Sequence, residues 1–275
     1  MEGPEIGIVE TRNIIRILKE KYNLDYSNHA LTSLKRRLER CILINNLKNA
    51  ENLILKLTDS PDFINKFQVD IAVESTEMFR DPSLWRWLRD EFLPEQIRPN
   101  ISYSIWLPEC VSGDELFTLC TVLNEAGYQD KVKIIATSYS QALIDRIRSG
   151  ELRFKKIDTS SENYTRFHGI RDFTDYYNLI DNTAIRDVSM ISLVEFRKHD
   201  ITEDAPLRDI KLILFRNRMI YYNPTLQSRV LAKLHQSLSF NGHLVIGTME
   251  NLVSFIKNNE FTVVNQNENV FKKRG

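Results

Sequence analysis

Apolar residues recur every three or four positions over the first eighty residues. Ile14, Ile15, Leu18 and Tyr22 make one such stripe, and Leu31, Leu34, Leu38, Cys41 and Ile42 make another. That spacing predicts amphipathic helices. Glycine is absent between Gly7 and Gly113, and Pro61, following Ser60, suits the first turn of a further helix. Residues 1–80 are expected to form a small helical domain.

After about residue 100 the pattern changes. Ser104–Leu107, Lys131–Thr137 and Ile210–Phe215 are short apolar runs of strand length. Helical stretches over Asp114–Ala126 and Ser140–Ser149 follow the first two, each ended by a glycine, Gly127 or Gly150. Strand and helix alternating at this interval predict βαβ units and a parallel sheet. Pro224–Leu238 reads as a helix, Asn241-Gly242 as a turn, His243–Gly247 as a strand, and Glu260–Phe271 as a hairpin around Gln266-Asn267. Residues 81–275 are therefore expected to form a Rossmann-like α/β domain. The segment from Glu151 to Lys198, about 151–198, interrupts that rhythm. It is polar and aromatic, with Tyr164, Phe167, Phe173, Tyr176 and Tyr177. It is expected to be partly helical and then β from about Val188. An insertion of this length in a doubly wound domain usually carries a function.

Composition narrows the classes. With 37 basic and 37 acidic residues the formal net charge is zero, which argues against nonspecific coating of nucleic acid or anionic membrane. No apolar run approaches the roughly 20 residues that span a bilayer. The first residues, MEGPEIGIVE, lack a charged-then-apolar leader. Three cysteines, Cys41, Cys110 and Cys120, fit neither a zinc site nor a disulfide frame, and no two of the five histidines have metal-ligand spacing. A cytoplasmic protein without a metal is expected.

Ligands of open parallel sheets lie beyond the carboxyl ends of the strands. The loop Pro108–Asp114 follows the first strand there, and Gly113 permits close backbone approach at the start of the next helix. One glycine before a helix can equally be a plain turn. Lys35, Arg36, Arg37 and Arg40 lie within six residues of the second helix. They are either a docking face for an acidic partner or a solvated face balanced by Glu39.

Five segments occur in a telling order. They are ESTEMFRDP (Glu74–Pro82), the glycine loop, ATSYS (Ala136–Ser140), FRNRMIYYN (Phe215–Asn223) and NGHLVIGTMEN (Asn241–Asn251). Together they resemble the CheR family, the S-adenosylmethionine-dependent methyltransferases of bacterial chemoreceptors. The resemblance covers nearly the whole chain. It implies a Rossmann-like class I methyltransferase sheet with an N-terminal helical domain and a small inserted β-subdomain. It implies S-adenosylmethionine as cofactor and S-adenosylhomocysteine as product. By the same resemblance Thr76, Gly113, Glu115, Asp200 and Asn217 would bind the cofactor, and Arg80, Arg216 and Tyr221 would serve catalysis. Each also has a plainer reading: Arg80 paired with Asp81, Tyr221 a core aromatic, Asn217 a turn residue, Glu115 a helix-start carboxylate.

The implied activity is O-methylation of receptor glutamates by a monomer, with a chemoreceptor or similar signalling protein as partner and no nucleic acid. The basic helix would then meet that receptor. Three positions depart from the family pattern. Ser138 stands where the family has an aspartate, Pro108-Glu109 precede Cys110 in place of two alanines, and Asp200 replaces an asparagine. A single hydroxyl holds a ribose diol less well than a carboxylate, so these changes also admit a catalytically impaired adaptor or cofactor-sensing module. A methyltransferase acting on another protein or a small acid is a third reading.

Overall fold

The computed structural model describes residues 4–73, 76–98, 102–180, 183–250, 252 and 260–274. Four helices come first: α1 (Ile8–Tyr22), α2 (Leu31–Ile44), α3 (Ala50–Asp59) and α4 (Phe63–Asp70). Their apolar stripes meet in one core, where Ile14, Leu18, Leu34, Leu38, Leu53, Leu57 and Phe67 are all fully buried. Asn49 opens α3 by accepting the Asn52 N–H, and α1 ends on Asn23 in the left-handed region.

A helical segment then leads into the sheet domain: α5 (Pro82–Trp87), a π turn at Leu88–Phe92 and α6 (Leu93–Gln96). Next come β1 (Tyr103–Leu107), α7 (Asp114–Glu125), β2 (Val132–Ser138) and α8 (Gln141–Arg148). The insertion supplies β3 (Glu151–Leu152), α9 (Ile157–Phe167), β4 (Tyr177–Ile180) and β5 (Thr183–Arg186). The chain closes with β6 (Glu195–Lys198), β7 (Ile210–Phe215), α10 (Pro224–Ser237), β8 (Leu238–Ile246), β9 (Phe261–Asn265) and β10 (Val270–Lys273).

The main sheet has seven strands in the order β6-β2-β1-β7-β8-β10-β9. The first five run parallel, and β10 lies antiparallel between β8 and β9. Strand alternation sorts its side chains into two cores. Ile105, Leu107, Leu212 and Leu214 face one way, beneath α5, α7 and α9. Trp106, Ile213 and Phe215 face the other, beneath α10. This is the Rossmann-like α/β architecture expected of a class I methyltransferase. From β1 the chain proceeds first to β2 and β6 on one side and later to β7 on the other. That reversal opens a crevice past the carboxyl ends of β1 and β7.

Two details differ from the sequence reading. Glu195–Lys198, assigned to the insertion, pairs in parallel with Ile135–Ser138 and forms the edge of the main sheet. The insertion's own sheet is β3-β5-β4, and Val188–Ile191 is a short 3-10 turn, not β structure. Asn241-Gly242 is not a hairpin turn. It is a bulge inside β8, where Ile210 pairs with Leu238 but Leu212 with His243. Gly242 is needed there because a Cβ would lie 2.9 Å from the Ile210 carbonyl.

Candidate active site

Beyond Leu107 the chain turns sharply. Glu109 sits at φ 52° and Gly113 at φ 78°, and α7 starts directly after Gly113. A side chain at Gly113 would press on Ile147 at 3.0 Å as well as strain the backbone. Asp114 is buried and held between Arg186 Nη1 and Lys156 Nζ, each 2.8 Å away. Lys156 also donates to the Thr76 carbonyl. The insertion therefore clamps both the glycine loop and the segment around Thr76.

That segment is irregular by construction. Phe79 and Asp81 both take left-handed conformations, at φ 54° and 57°. Phe79 is fully buried against Tyr164, Phe167 and Phe173, and its N–H bonds Thr118 Oγ1 at 2.9 Å. Pro82 then starts α5. The Arg80 carbonyl accepts from Trp85 Nε1 at 2.9 Å and Arg216 Nη2 at 3.3 Å. Thr76 turns its hydroxyl to the Glu77 carbonyl. Glu74 and Ser75, which open the motif, lie outside the described residues.

Arg216, the first residue after β7, joins the two loops. Its Nη2 lies 2.5 Å from Asp81 Oδ2 and its Nη1 2.8 Å from Glu115 Oε1, with the side chain 3% exposed and packed over the Trp85 ring. Burial pushes the Glu115 carboxyl up, and the Arg216 guanidinium draws it back down. The sequence reading gave Arg216, with Arg80 and Tyr221, a catalytic role. In this structure its charge is matched by two carboxylates of the protein, so it acts as a brace between loops.

Asn217 takes the left-handed region at φ 56° and is buried. Its N–H donates to Glu250 Oε2 at 3.0 Å, Met219 N–H to Glu250 Oε1 at 2.7 Å, and Gly247 N–H to Oε2 at 2.7 Å. One buried carboxylate thus holds the start of the 217–222 loop. The sequence reading missed Glu250. Its signal was a carboxylate just past an apolar strand, where backbone donors lose their partners.

A cavity opens at the ends of β1, β2, β6 and β7. On the sheet side Glu109, Tyr139, Asp200, Arg218, Tyr221 and Tyr222 line it. On the helical side Asp25, Tyr26, His29 and Arg37 cover it. The covering segment is bonded to the 217–223 loop: Ala30 N–H donates to the Tyr221 carbonyl at 2.8 Å and Asn223 N–H to the Asn28 carbonyl at 2.9 Å. Of the expected site residues, Asp200 and Tyr221 share this cavity, while Arg216, Glu115 and the Arg80 carbonyl share the network beside it.

The four basic residues of α2 do not share a face. Arg36 and Arg40 are exposed, and Lys35 pairs with Glu39 at 3.5 Å. Arg37 turns inward to the cavity and donates to the Ile71 carbonyl at 3.2 Å. The expected docking face therefore loses Arg37.

The electrostatics of the cavity are mixed. Burial pushes the Glu109 carboxyl up to about 7, against the pull of Arg218, the Tyr222 hydroxyl and Arg37, and Asp200 pushes it further. Burial, with Arg37, lowers His29 to about 4, so it is neutral at pH 7. Cys110 is pushed up to about 12 by burial and is no nucleophile.

Several cavity-side groups fit a polar ligand. His29 Nδ1, Arg37 Nε and Nη2 and the Tyr222 hydroxyl are buried without hydrogen-bond partners among the described residues. Asp200 takes the Thr202 N–H and O–H on Oδ1. Gly113 presents backbone at the start of α7. Ser138 does not contribute: its hydroxyl is buried and unpartnered in β2, and it is Tyr139 that reaches the cavity.

Residues 74–270 match the family model described as CheR methyltransferase, SAM binding domain. The chain belongs to the CheR methyltransferase family. S-adenosylmethionine is the cofactor of this CheR domain, and the cavity lies where the fold would place it. Among curated relatives, a "Putative methyltransferase Cher3" of Pseudomonas putida is 28% identical over 96% of this chain and 97% of its own. A "Chemotaxis protein methyltransferase" of Listeria monocytogenes is 23% identical over 87% of this chain and 88% of its own. A "Chemotaxis protein methyltransferase 1" of Vibrio cholerae is 26% identical over 74% of this chain and 73% of its own. The N-methyltransferase NodS of Bradyrhizobium japonicum, solved with S-adenosyl-L-homocysteine, superposes with a TM-score of 0.41 at 11% identity, covering 72% of this chain and 87% of that one. No helix among the described residues is long and apolar enough to cross a membrane, and these residues hold no cluster of metal-binding side chains.

Proposed function

We propose that this CheR-family protein methylates glutamate side chains of a chemoreceptor or similar signalling protein. The observation that carries the reading is the Arg216 brace, which gathers Asp81, the Arg80 carbonyl and Glu115 at one end of the sheet beside the cavity. The relatives named for chemotaxis support the substrate class.

S-adenosylmethionine supplies a methyl group made electrophilic by its sulfonium sulfur. A glutamate carboxylate, ordinarily ionised above pH about 4.3, is already the nucleophile, so no general base is required of the protein. The work left to the chain is positioning and exclusion of water. Arg80, on the strained Phe79–Asp81 turn, is assigned to orient the incoming carboxylate. Tyr221, held at the cavity by its backbone bond to Ala30, is assigned to donate to it. Arg216 positions both by fixing the loops on which they sit. Thr76, Gly113, Glu115, Asp200 and Asn217 are assigned to the cofactor, and exposed Arg36 and Arg40, with Lys35, to the receptor. The protein is taken to act as a cytoplasmic monomer.

The experiment is transfer of labelled methyl from S-adenosylmethionine to receptor-bearing membranes, with release of the label by mild base. Base-labile label on receptor glutamates is the expected result. Cofactor binding without transfer to any carboxylate protein would overturn the enzyme reading. It would favour a cofactor-sensing adaptor, a reading supported by the withdrawal of Ser138 from the cavity.

A further inference from the structure

The cavity contains a carboxylate that neither the brace nor the substrate chemistry uses. We infer that Glu109 is the acceptor for the ribose diol of the bound cofactor, taking the place that Ser138 leaves unfilled.

A ribose offers two neighbouring O–H donors, and an ionised carboxylate matches both in one contact. In doubly wound folds such an acid commonly stands near the end of the second strand. Here that strand ends on Ser138, whose hydroxyl is buried away from the cavity. Among the described residues three carboxylates line the cavity: Asp25, Glu109 and Asp200. Asp25 is committed to Lys19 Nζ at 2.6 Å and to the Ser27 N–H at 2.8 Å. Asp200 spends one oxygen on Thr202 and remains for the base. Glu109 carries the uncommitted charge. The Tyr222 hydroxyl lies close enough to draw its pKa down, yet makes no hydrogen bond of ordinary length.

The backbone tells the same story. Glu109 holds φ 52°, a conformation that costs a side-chain-bearing residue free energy and persists where the fold has a use for it. Cys110 N–H, bonded to the Thr137 carbonyl at 2.7 Å, locks the turn to the end of β2. The turn therefore delivers a side chain from just past β1 to the place beside β2 where the ribose would be read.

The test uses the full chain and calorimetric titration with two probes, S-adenosylhomocysteine and its 2′,3′-dideoxy counterpart. The wild type is expected to prefer the diol by about 10- to 100-fold, the range of a charge-assisted hydrogen bond. Glu109→Gln, nearly isosteric, should cut that preference to within a few-fold while the protein stays folded by circular dichroism. Glu109→Asp, which keeps the charge, should retain part of it. If Glu109→Gln or Glu109→Ala keeps the full preference, or binds S-adenosylhomocysteine more tightly than the wild type, Glu109 is an obstruction and the inference is wrong. A wild type that does not distinguish the probes, or binds neither, overturns it as well. Failure of the receptor-methylation reading looks different: the diol preference persists, but no methyl reaches a receptor.

Discussion

Arg186 Nη1 lies 2.8 Å from Asp114 Oδ1, and both side chains are almost wholly buried. Arg186 ends β5 of the insertion, and Asp114 is the first residue of α7. The guanidinium also donates to the carbonyls of Gly150, Ser112 and Glu151 and stacks 4.4 Å from the Phe117 ring centroid. Every face of it is thus engaged by protein. Arg186→Ala should cost about 3–5 kcal/mol, because Asp114 loses its fully buried counter-charge. Urea unfolding measures this. A loss below 1 kcal/mol would show that the insertion is not anchored through this pair.

Arg216→Lys should separate bracing from bulk stability. Lysine keeps the charge but cannot fork between Asp81 and Glu115. One of the two contacts would be lost, at about 1.5–3 kcal/mol. Methyl transfer should fall more than tenfold at a temperature where the variant is still folded, since the loops bearing Asp81 and Glu115 would no longer be tied to each other. Turnover at the wild-type rate would remove Arg216 from the positioning scheme.

Glu109 makes a pH prediction for the ligand-free protein. Its folded pKa of about 7 lies above its ordinary value of 4.5. Between those values the unfolded chain has given up the proton and the folded chain still holds it. Stability therefore falls as pH rises from about 4.5 to 7, and the full penalty is present above 7. Glu109→Gln removes that penalty. It should stabilise the protein by up to about 3 kcal/mol at pH 8 and by nearly nothing at pH 4. His29, lowered to about 4, titrates in both proteins and cancels in the difference. Paired thermal melts across that range provide the check; a difference independent of pH would contradict the burial-driven shift.

The basic residues of α2 should divide by function. Reversing Arg36 and Arg40 together should weaken receptor methylation at low salt, with little effect above 0.3 M and none on S-adenosylhomocysteine affinity. Arg37→Glu should act on cofactor affinity instead, because it places a carboxylate against Glu109 and Asp200 in the cavity. Titration and methylation assays on the two variants separate the roles, and identical profiles would refute the division.

The strands of the sheet were legible because their apolar runs are pure. YSIWL and IKLILF, and VKIIATS from Ile134 on, are largely buried on both faces, so no helical period competes with them. β6 was not legible. EFRK is a half-exposed edge strand of mixed character, and only its pairing with Ile135–Ser138 makes it a strand. The Asn241-Gly242 pair looked like a hairpin turn because a β-bulge and a turn ask for the same backbone freedom. In the site, Arg216, Asp81 and Glu115 were each visible by motif. Their joining was not, since contacts across more than a hundred residues leave no local pattern. Glu109 was noticed as a departure, but its direction depends on a left-handed turn that no neighbouring glycine announces.

The seam between the helical half and the 217–223 loop runs partly through main-chain atoms: Ala30 N–H to the Tyr221 carbonyl, and Asn223 N–H to the Asn28 carbonyl. Such bonds are indifferent to the side chains above them. Residues on either surface can therefore drift while the distance between the helical half and the 217–223 loop stays fixed. Sequence can vary on both sides of a seam whose two parts remain in register.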